Sequence, residues 1–386
     1  MGGVHPERLK KEVRIMKRWV VFLMGIGLVF SAGAVAPPSA GQEIIGSFQG
    51  LGDLPGGDFA SLAWGGSADG TAVTGESDSG YPQAFFWTQG TGMVPLPLLP
   101  GREQNSHGDV LSANSTKVAG WCGWEILGWE ACVWTFDGTQ WTVEGLGDLA
   151  GGKYKSHAHY MTPNGNVVVG QGNSDKCPLA CRWLWDGAVW VLQAIEYASG
   201  RSYWSLATAC SDDGSIIVGE RCKSSTIAFR WTKATGIVDL GVLPKMKYST
   251  AGACSADGSV VVGLSWPLQG RSYGQAFRWT AATKMVGLGD LPGGSFFSEA
   301  VAVSADGSIV VGRSGTANGN EAFIWDALNG MRRVADELAA NGVFTPAGWT
   351  LQEARSIAVN AGIITIVGTG INPAGQTEAW RAVIGQ

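Results

Sequence analysis

Apolar and polar positions along the chain repeat with a long period, and the repeat is clearest at tryptophan. The segments Gln83-Ala84-Phe85-Phe86-Trp87, Glu130-Ala131-Cys132-Val133-Trp134, Leu179-Ala180-Cys181-Arg182-Trp183 and Ile227-Ala228-Phe229-Arg230-Trp231 are followed by Gln275 to Trp279, Glu321 to Trp325 and Thr377 to Trp380. Successive tryptophans in this position lie 47, 49, 48, 48, 46 and 55 residues apart. A second marker, an apolar pair or triplet ending in glycine, recurs at Gly75, Gly120, Gly170, Gly219, Gly263, Gly312 and Gly368. Ahead of it sits a turn, complete as Ser-Ala-Asp-Gly at 67–70, 255–258 and 304–307, whose Asp-Gly supplies the positive φ of a tight hairpin. A third marker, Leu-Gly-Asp-Leu-Pro-Gly-Gly, stands whole at 51–57 and 288–294 and in worn form at 96–102, 146–152 and 240–246.

Each repeat reads as four short strands: an Ala-rich strand into the turn, the Val-Val-Gly strand, the Ala-Phe-x-Trp strand and a Met-Val-x-Leu-Gly-x-Leu strand. Four strands in roughly 40–50 residues make a propeller blade. The last repeat stops at Gln386 just after its third strand, and the chain opens at Ile44 to Leu54 with a fourth strand that lacks the preceding three. Pairing Ile44–Leu54 beside Trp380–Ile384 closes the ring and covers two sheet edges. The pattern therefore predicts an all-β protein, a seven-bladed propeller of four strands per blade, its ring closed by an N-terminal strand that completes the last blade.

Composition agrees with that reading and narrows the function. Of 386 residues 58 are Gly, with 45% apolar and only 15% charged side chains, which excludes a disordered chain and suits many tight turns between buried strands. A net charge of −5 argues against a nucleic-acid partner, which needs a basic surface. Lys17 and Arg18 precede the apolar run Trp19–Phe30, and Ser31–Ala36 offers Ala-x-Ala cleavage options, so residues 1–36 read as a secretory signal peptide cut near Ala34 or Ala36. Met16 alone would give a signal peptide of ordinary shape, with a mis-start before it. The run is too short to span a membrane, so residues 37–386 are expected as one exported, monomeric propeller with no transmembrane segment.

The three motifs in this order resemble the extracellular HAF-repeat family, over residues 48 to 384. The closing segments Gly348-Trp349-Thr350-Leu351, Ile366-Val367-Gly368 and Pro373-Ala374-Gly375-Gln376-Thr377-Glu378-Ala379-Trp380 are similar to that family's last repeat. The histidine that names the family is Gln, Glu, Leu or Ile in every copy here. The resemblance implies an exported propeller and no established activity.

Seven cysteines in an exported chain can form three bridges at most. Cys132 and Cys181 replace the Phe of the third strand, and those two blades carry a second cysteine just upstream, so bridges Cys122–Cys132 and Cys177–Cys181 are expected. Cys210 and Cys254 align with buried apolar positions and read as core residues, and Cys222 is the odd thiol.

The loops from fourth to first strand and from second to third open on one face, where propellers usually bind ligands. There, blades three, four and five carry Lys153-Tyr154-Lys155, Arg201-Ser202-Tyr203-Trp204 and Lys245-Met246-Lys247-Tyr248, a basic and aromatic sector suited to stacking on sugar rings and pairing with carboxylates or sulfates. The alternative is that these aromatics pack under their loops while the cations keep the surface soluble. Trp121, Trp124 and Trp129 form either a stacking platform or a cover for Cys122. His107 and His157 occupy equivalent positions with His159 on the same strand face, but no carboxylate recurs beside them, and neither metal nor cofactor is expected. Carboxylates such as Asp58, Glu103, Asp109 and Glu299 are scattered, and no nucleophile elbow or phosphate loop occurs. The expected function is a non-catalytic binding or scaffold propeller for a glycan or an envelope or extracellular protein. The alternatives are a polysaccharide lyase or hydrolase centred on Lys153, Tyr154, His157, Arg201 and Tyr203, and a purely structural envelope protein. Enzymes of this architecture focus charge at the ring axis, whereas binders spread aromatics along the rim.

Overall fold

The computed structural model describes residues 46–102, 104–124, 128–196 and 203–385. The expected signal peptide lies outside the described residues, as do Glu103 and Arg201. Twenty-eight strands form seven four-stranded antiparallel sheets, a seven-bladed propeller. Blade one is β2 (Ser61–Gly66), β3 (Ala72–Asp78), β4 (Pro82–Thr88) and β5 (Gly92–Pro95), and blades two to six repeat that order with first strands β6 (Ser106–Leu111), β10 (His157–Met161), β14 (Trp204–Cys210), β18 (Tyr248–Cys254) and β22 (Ser298–Val303). Blade seven is β26 (Thr350–Asn360), β27 (Ile363–Ile371) and β28 (Thr377–Gly385), completed by β1 (Ser47–Gly50), which pairs Ser47 with Val383 and Gly50 with Trp380. The closure read from the sequence is thus the one observed.

The repeated residues hold the ring together in three ways. The motif aromatics fill the blade interfaces, with Phe85, Phe229, Phe277 and Phe323 and the tryptophans Trp134, Trp183 and Trp380 fully buried. At six junctions the Ala N–H of a third strand donates to a buried serine at the start of the next blade. Ala379 donates to Ser61 at 3.1 Å, Ala84 to Ser106 at 2.9 Å and Ala131 to Ser156 at 3.0 Å. Ala180, Ala228 and Ala276 do the same with Ser205, Ser249 and Ser298. In the turns, Ser67 Oγ donates to Asp69 Oδ1 at 2.6 Å, and Asp257 is held down at about 2 by hydrogen bonds from Ser259 and Ser255, so the recurring Asp is structural. One helix departs from the all-strand expectation. α1 (Val334–Ala340) lies between blades six and seven, buries Val334 and Leu338, and accounts for the long last spacing.

The expected disulfides are not formed, and all seven cysteines are thiols. Cys122 and Cys132 are buried side by side with their sulfurs 3.3 Å apart, beyond the ~2.05 Å of a bond. Cys177 directly precedes the strand Pro178–Trp185 that contains Cys181. Four residues of extended chain separate the two by about 13 Å, too far to bridge. Cys210 and Cys254 are buried, and Cys222 is exposed.

Candidate functional site

The site follows from one backbone device repeated in every blade. Each first strand pairs with its second strand through a β-bulge, and the unpaired residues are Trp64, Asp109, His159, Thr208, Gly252, Val301 and Arg355. A bulge re-aims its side chain, and all seven of these residues line the axial cavity. The bulge also explains the glycine of the Val-Val-Gly strand. A Cβ at Gly75, Gly120, Gly170, Gly219, Gly263, Gly312 or Gly368 would overlap the carbonyl oxygen of the first-strand residue two places before the bulge. That residue, His107, His157, Leu206, Thr250, Glu299 or Glu353 in blades two to seven, sits one layer closer to the loop face.

The axis therefore holds two connected chambers. One of about 380 Å³ faces the Asp-Gly turns, and one of about 300 Å³ faces the loops, and they share Thr208, Gly252, Val301 and Arg355. The loop-face chamber is unequal around its wall. Blades four and five offer Leu206, Thr208, Thr250, Gly252 and Leu264 with Glu220 and Arg271, while blades six and seven offer Glu299, Arg313, Glu353 and Arg355. A groove of about 500 Å³ continues outward over blades five and six, sharing Arg271, Glu299 and Arg313 and adding Tyr273 and Phe297.

The charged wall is one network. Arg313 Nη2 meets Glu299 Oε2 at 2.6 Å, and its Nε lies 3.7 Å from Glu353 Oε1. Arg355 Nη2 pairs with Glu353 Oε2 at 2.8 Å and its guanidinium lies 4.0 Å above the Trp64 ring. Next around the ring, His107 sits between Glu76 and Asp109, each 3.3 Å away, and stacks on Trp121 at 5.2 Å. Trp121 and Trp129 flank His157 at 5.3 and 5.1 Å, and Lys155 Nζ lies 3.9 Å above Trp129. Burial alone would push the His107 imidazole down, but the Asp109 and Glu76 carboxylates outweigh it and hold the group above its ordinary value. His157, in the equivalent position one blade on, is lowered to about 3 by burial and by His159 and Lys155. Burial raises the carboxyls of Glu220 and Glu353.

Four buried polar atoms around the axis have no hydrogen-bond partner among the described residues: Trp64 Nε1, His157 Nε2, Glu220 Oε2 and Glu353 Oε1. Buried polar groups are nearly always satisfied, so a cluster of exceptions beside a cavity marks a place where a ligand or water completes the bonding.

The residues singled out in the sequence divide between axis and rim. His159 lines the axial cavity, His107 packs on Asp109 that lines it, and Trp121 and Trp129 stack around His107 and His157 with exposed Lys155 above Trp129. Trp124 stays exposed at the rim, and Tyr154 is held there, donating from its hydroxyl to Glu130 at 2.8 Å beneath Arg102. Lys153 is exposed, Tyr203 lies under Lys223, and Trp204 starts β14 opposite Cys222. Lys245 and Lys247 are exposed, while Tyr248 stacks on Trp266. So the basic sector is not one convergent site, and its aromatics pack against their own loops. The three histidines do not converge either, and no group of three His, Cys, Asp or Glu among the described residues is placed to hold a metal ion. What the sequence reading missed is the charge set Glu76, Glu220, Arg313, Glu353 and Arg355. Its signal was present, since each of these interrupts an otherwise apolar or small strand next to a repeat glycine or alanine.

No protein-family model matches the chain, and no curated protein matches it. Several solved structures are similar to the chain. TolB from Acinetobacter baumannii is 12% identical over 69% of this chain and 60% of that one, with a TM-score of 0.43. One of two prolyl endopeptidases is 12% identical over 88% of this chain and 50% of that one, with a TM-score of 0.49. The β-propeller domain of the Trilobed protease from Pyrococcus furiosus is 10% identical over 71% and 81%, with a TM-score of 0.47. The chain spans about three fifths of the TolB structure. No helix among the described residues is long and apolar enough to cross a membrane.

Proposed function

We propose that this protein is an exported binding propeller of the HAF-repeat type that takes a glycan into the loop-face mouth of its axis. The observation that carries the proposal is the cluster of unsatisfied polar atoms around a cavity walled by Arg–Glu pairs and bordered by Trp64, with Trp121 and Trp129 stacked on the neighbouring His107 and His157. Planar carboxylate and guanidinium groups suit the vicinal hydroxyls of a sugar, and indole faces suit its apolar side. The signal peptide expected from residues 1–36 supports a role at the envelope or outside the cell. The test is a screen of the purified chain against neutral, acidic and amino polysaccharides, with Trp121→Ala/Arg313→Ala and Lys245→Ala/Lys247→Ala variants alongside. Binding weakened at least about tenfold in the axial variant and unchanged in the rim variant is expected, each lost charged hydrogen bond having that scale. Binding to none of the polymers, or loss only in the rim variant, would overturn the proposal.

A second reading, a carbohydrate-active enzyme, draws support from one feature. Glu220 is a carboxyl raised by burial, whereas Glu299 shares the cavity in contact with two arginines, and carboxyls in unlike surroundings are the raw material of acid–base catalysis. Assaying the same polymers for new chain ends distinguishes it.

A further inference from the structure

The axial chamber is built from carboxylate–arginine pairs with one exception. Glu299 and Glu353 face Arg271, Arg313 and Arg355, but Glu220, which follows the repeat glycine of the second strand in blade four, makes no ion pair among the described residues. Its Oε2 is buried with no hydrogen-bond partner, and it lines the chamber beside Thr208, Thr250 and Gly252, where the wall is bare. Across the same chamber Glu353, only 8% exposed, leaves its Oε1 without a hydrogen bond as well. Both atoms are acceptors; Glu353 Oε1 already faces Arg313 Nε at 3.7 Å, whereas Glu220 is met only by the Thr250 hydroxyl and the charge of Arg271, so its Oε2 is open to a donor, and beside a carboxylate without an ion pair the donor of greatest effect is a cation. A buried carboxylate is retained at a cost unless something neutralises it, and the small residues next to Glu220 leave room for a group of a few atoms.

We propose that the chamber takes a primary ammonium carried on a sugar, so that the glycan bound is an amino sugar whose free amine docks on Glu220. The inference rests on the glycan reading above. The ammonium supplies three donors, and Glu220 Oε2 is the buried acceptor left open to take one of them. The arginines are already engaged by Glu299 and Glu353, so they do not repel the incoming charge as free guanidinium groups would. The indole of Trp64, which lies beneath the Arg355 guanidinium where the two chambers meet, favours a sugar ring over an extended peptide as the carrier.

The test compares three β-1,4-linked tetrasaccharides that differ only at C2: the glucosamine tetramer, its fully N-acetylated form, and cellotetraose. Titration calorimetry at a pH where the amines are protonated is expected to show the glucosamine tetramer binding at least about tenfold more tightly than the other two. In Glu220→Gln that preference is expected to disappear, with binding of cellotetraose retained. Thr208→Phe, which fills the void without touching a charge, is expected to abolish binding of all three, and melting curves of both variants confirm folding. Equal affinity for amine and hydroxyl forms, or a preference that survives Glu220→Gln, overturns the ammonium proposal while leaving the glycan reading standing. Failure of all three to bind a folded wild-type chain overturns the ammonium proposal as well, and the polymer screen then decides the glycan reading separately.

Discussion

The two walls of the axial chamber are made from the same strand positions, yet they behave as different materials. Blades six and seven place Glu299, Arg313, Glu353 and Arg355 there, whereas blades four and five place Leu206, Thr208, Thr250, Gly252 and Leu264 at the equivalent points, with Glu220 in the position that Arg313 holds in blade six. Backbone geometry hardly distinguishes the walls, because every first strand carries the axial bulge and every second strand the same glycine, with blade seven adding a second break at Gln352. The repeat fixes where a side chain points, and the residue type then decides whether it fills the axis or leaves it open. A ring of near-identical blades thus becomes a site with a charged side and an empty side.

The sharpest way to break that comparison is to remove the geometry both walls depend on. Gly170 lies against the His157 carbonyl, so close that any Cβ must displace backbone rather than a flexible side chain. Gly170→Val is expected to destabilise the fold by about 4 kcal/mol or more, among the largest effects a single substitution produces. Thermal unfolding by circular dichroism measures it. A loss under about 1 kcal/mol would show that the bulge is not held by this contact.

Substitutions on opposite walls are expected to differ in sign. Glu353 sits between Arg313 and Arg355, and Glu353→Gln leaves buried guanidinium charge less compensated, at a cost of roughly 2–3 kcal/mol. Glu220 has no ion pair among the described residues, only the Thr250 hydroxyl and the charge of Arg271, and Glu220→Gln removes a desolvated carboxyl while keeping a hydrogen-bond acceptor, so it is expected to be neutral or mildly stabilising. Denaturant titration of the two single variants checks this. Equal destabilisation would mean that Glu220 is engaged by the protein itself rather than held for a ligand.

How much of this was legible in the sequence differs sharply between fold and site. Seven evenly spaced tryptophans, the Asp-Gly turns and the unpaired strand at Ile44–Leu54 specify the propeller and its closure because each motif is local and repeated. The inter-blade serines, Ser61, Ser106, Ser156, Ser205, Ser249 and Ser298, recur just as regularly, but a lone serine at a strand start has no meaning until the next blade's Ala N–H is placed against it. The site is hidden for the opposite reason. Glu220 stands in blade four and Glu353 and Arg355 in blade seven; Glu76 and Glu299 hold the positions that match the two glutamates in blades one and six, but the other repeats carry His, Leu, Thr, Trp, Gln or Arg there, so no residue type marks the position. They converge only through the bulge, which adds one residue to a strand without any composition signal. Basic loop residues such as Lys153, Lys245 and Lys247 stood out because they cluster in sequence, and sequence clustering places them on the rim. The disulfide expectation failed similarly, since two cysteines four residues apart are near in sequence but far apart along an extended strand.

The finest contrast lies between two histidines in matching positions of neighbouring blades. His107 has Glu76 and Asp109 at 3.3 Å, and its pKa is raised; His157 has His159, Lys155 and indole rings around it, and its pKa falls to about 3. A raised base binds its proton more tightly in the folded state, so His107 adds stability that is present below its unfolded value near 6.5 and fades as pH rises through its higher folded value. A lowered base does the reverse. The unfolded state takes up a proton that the folded state refuses, so His157 subtracts stability as pH falls from about 6.5 towards about 4, by on the order of 2 kcal/mol. His157→Gln is therefore expected to flatten the acid side of the stability curve. His107→Gln is expected to lower stability at mildly acidic pH and change it less above neutrality, where the protonated imidazole no longer holds the two carboxylates. Parallel urea titrations of both variants from pH 4 to pH 8 read the two slopes. The same sign for both would mean that the carboxylates beside His107, rather than blade position, do not set the difference, and that the axial network is weaker than its distances imply.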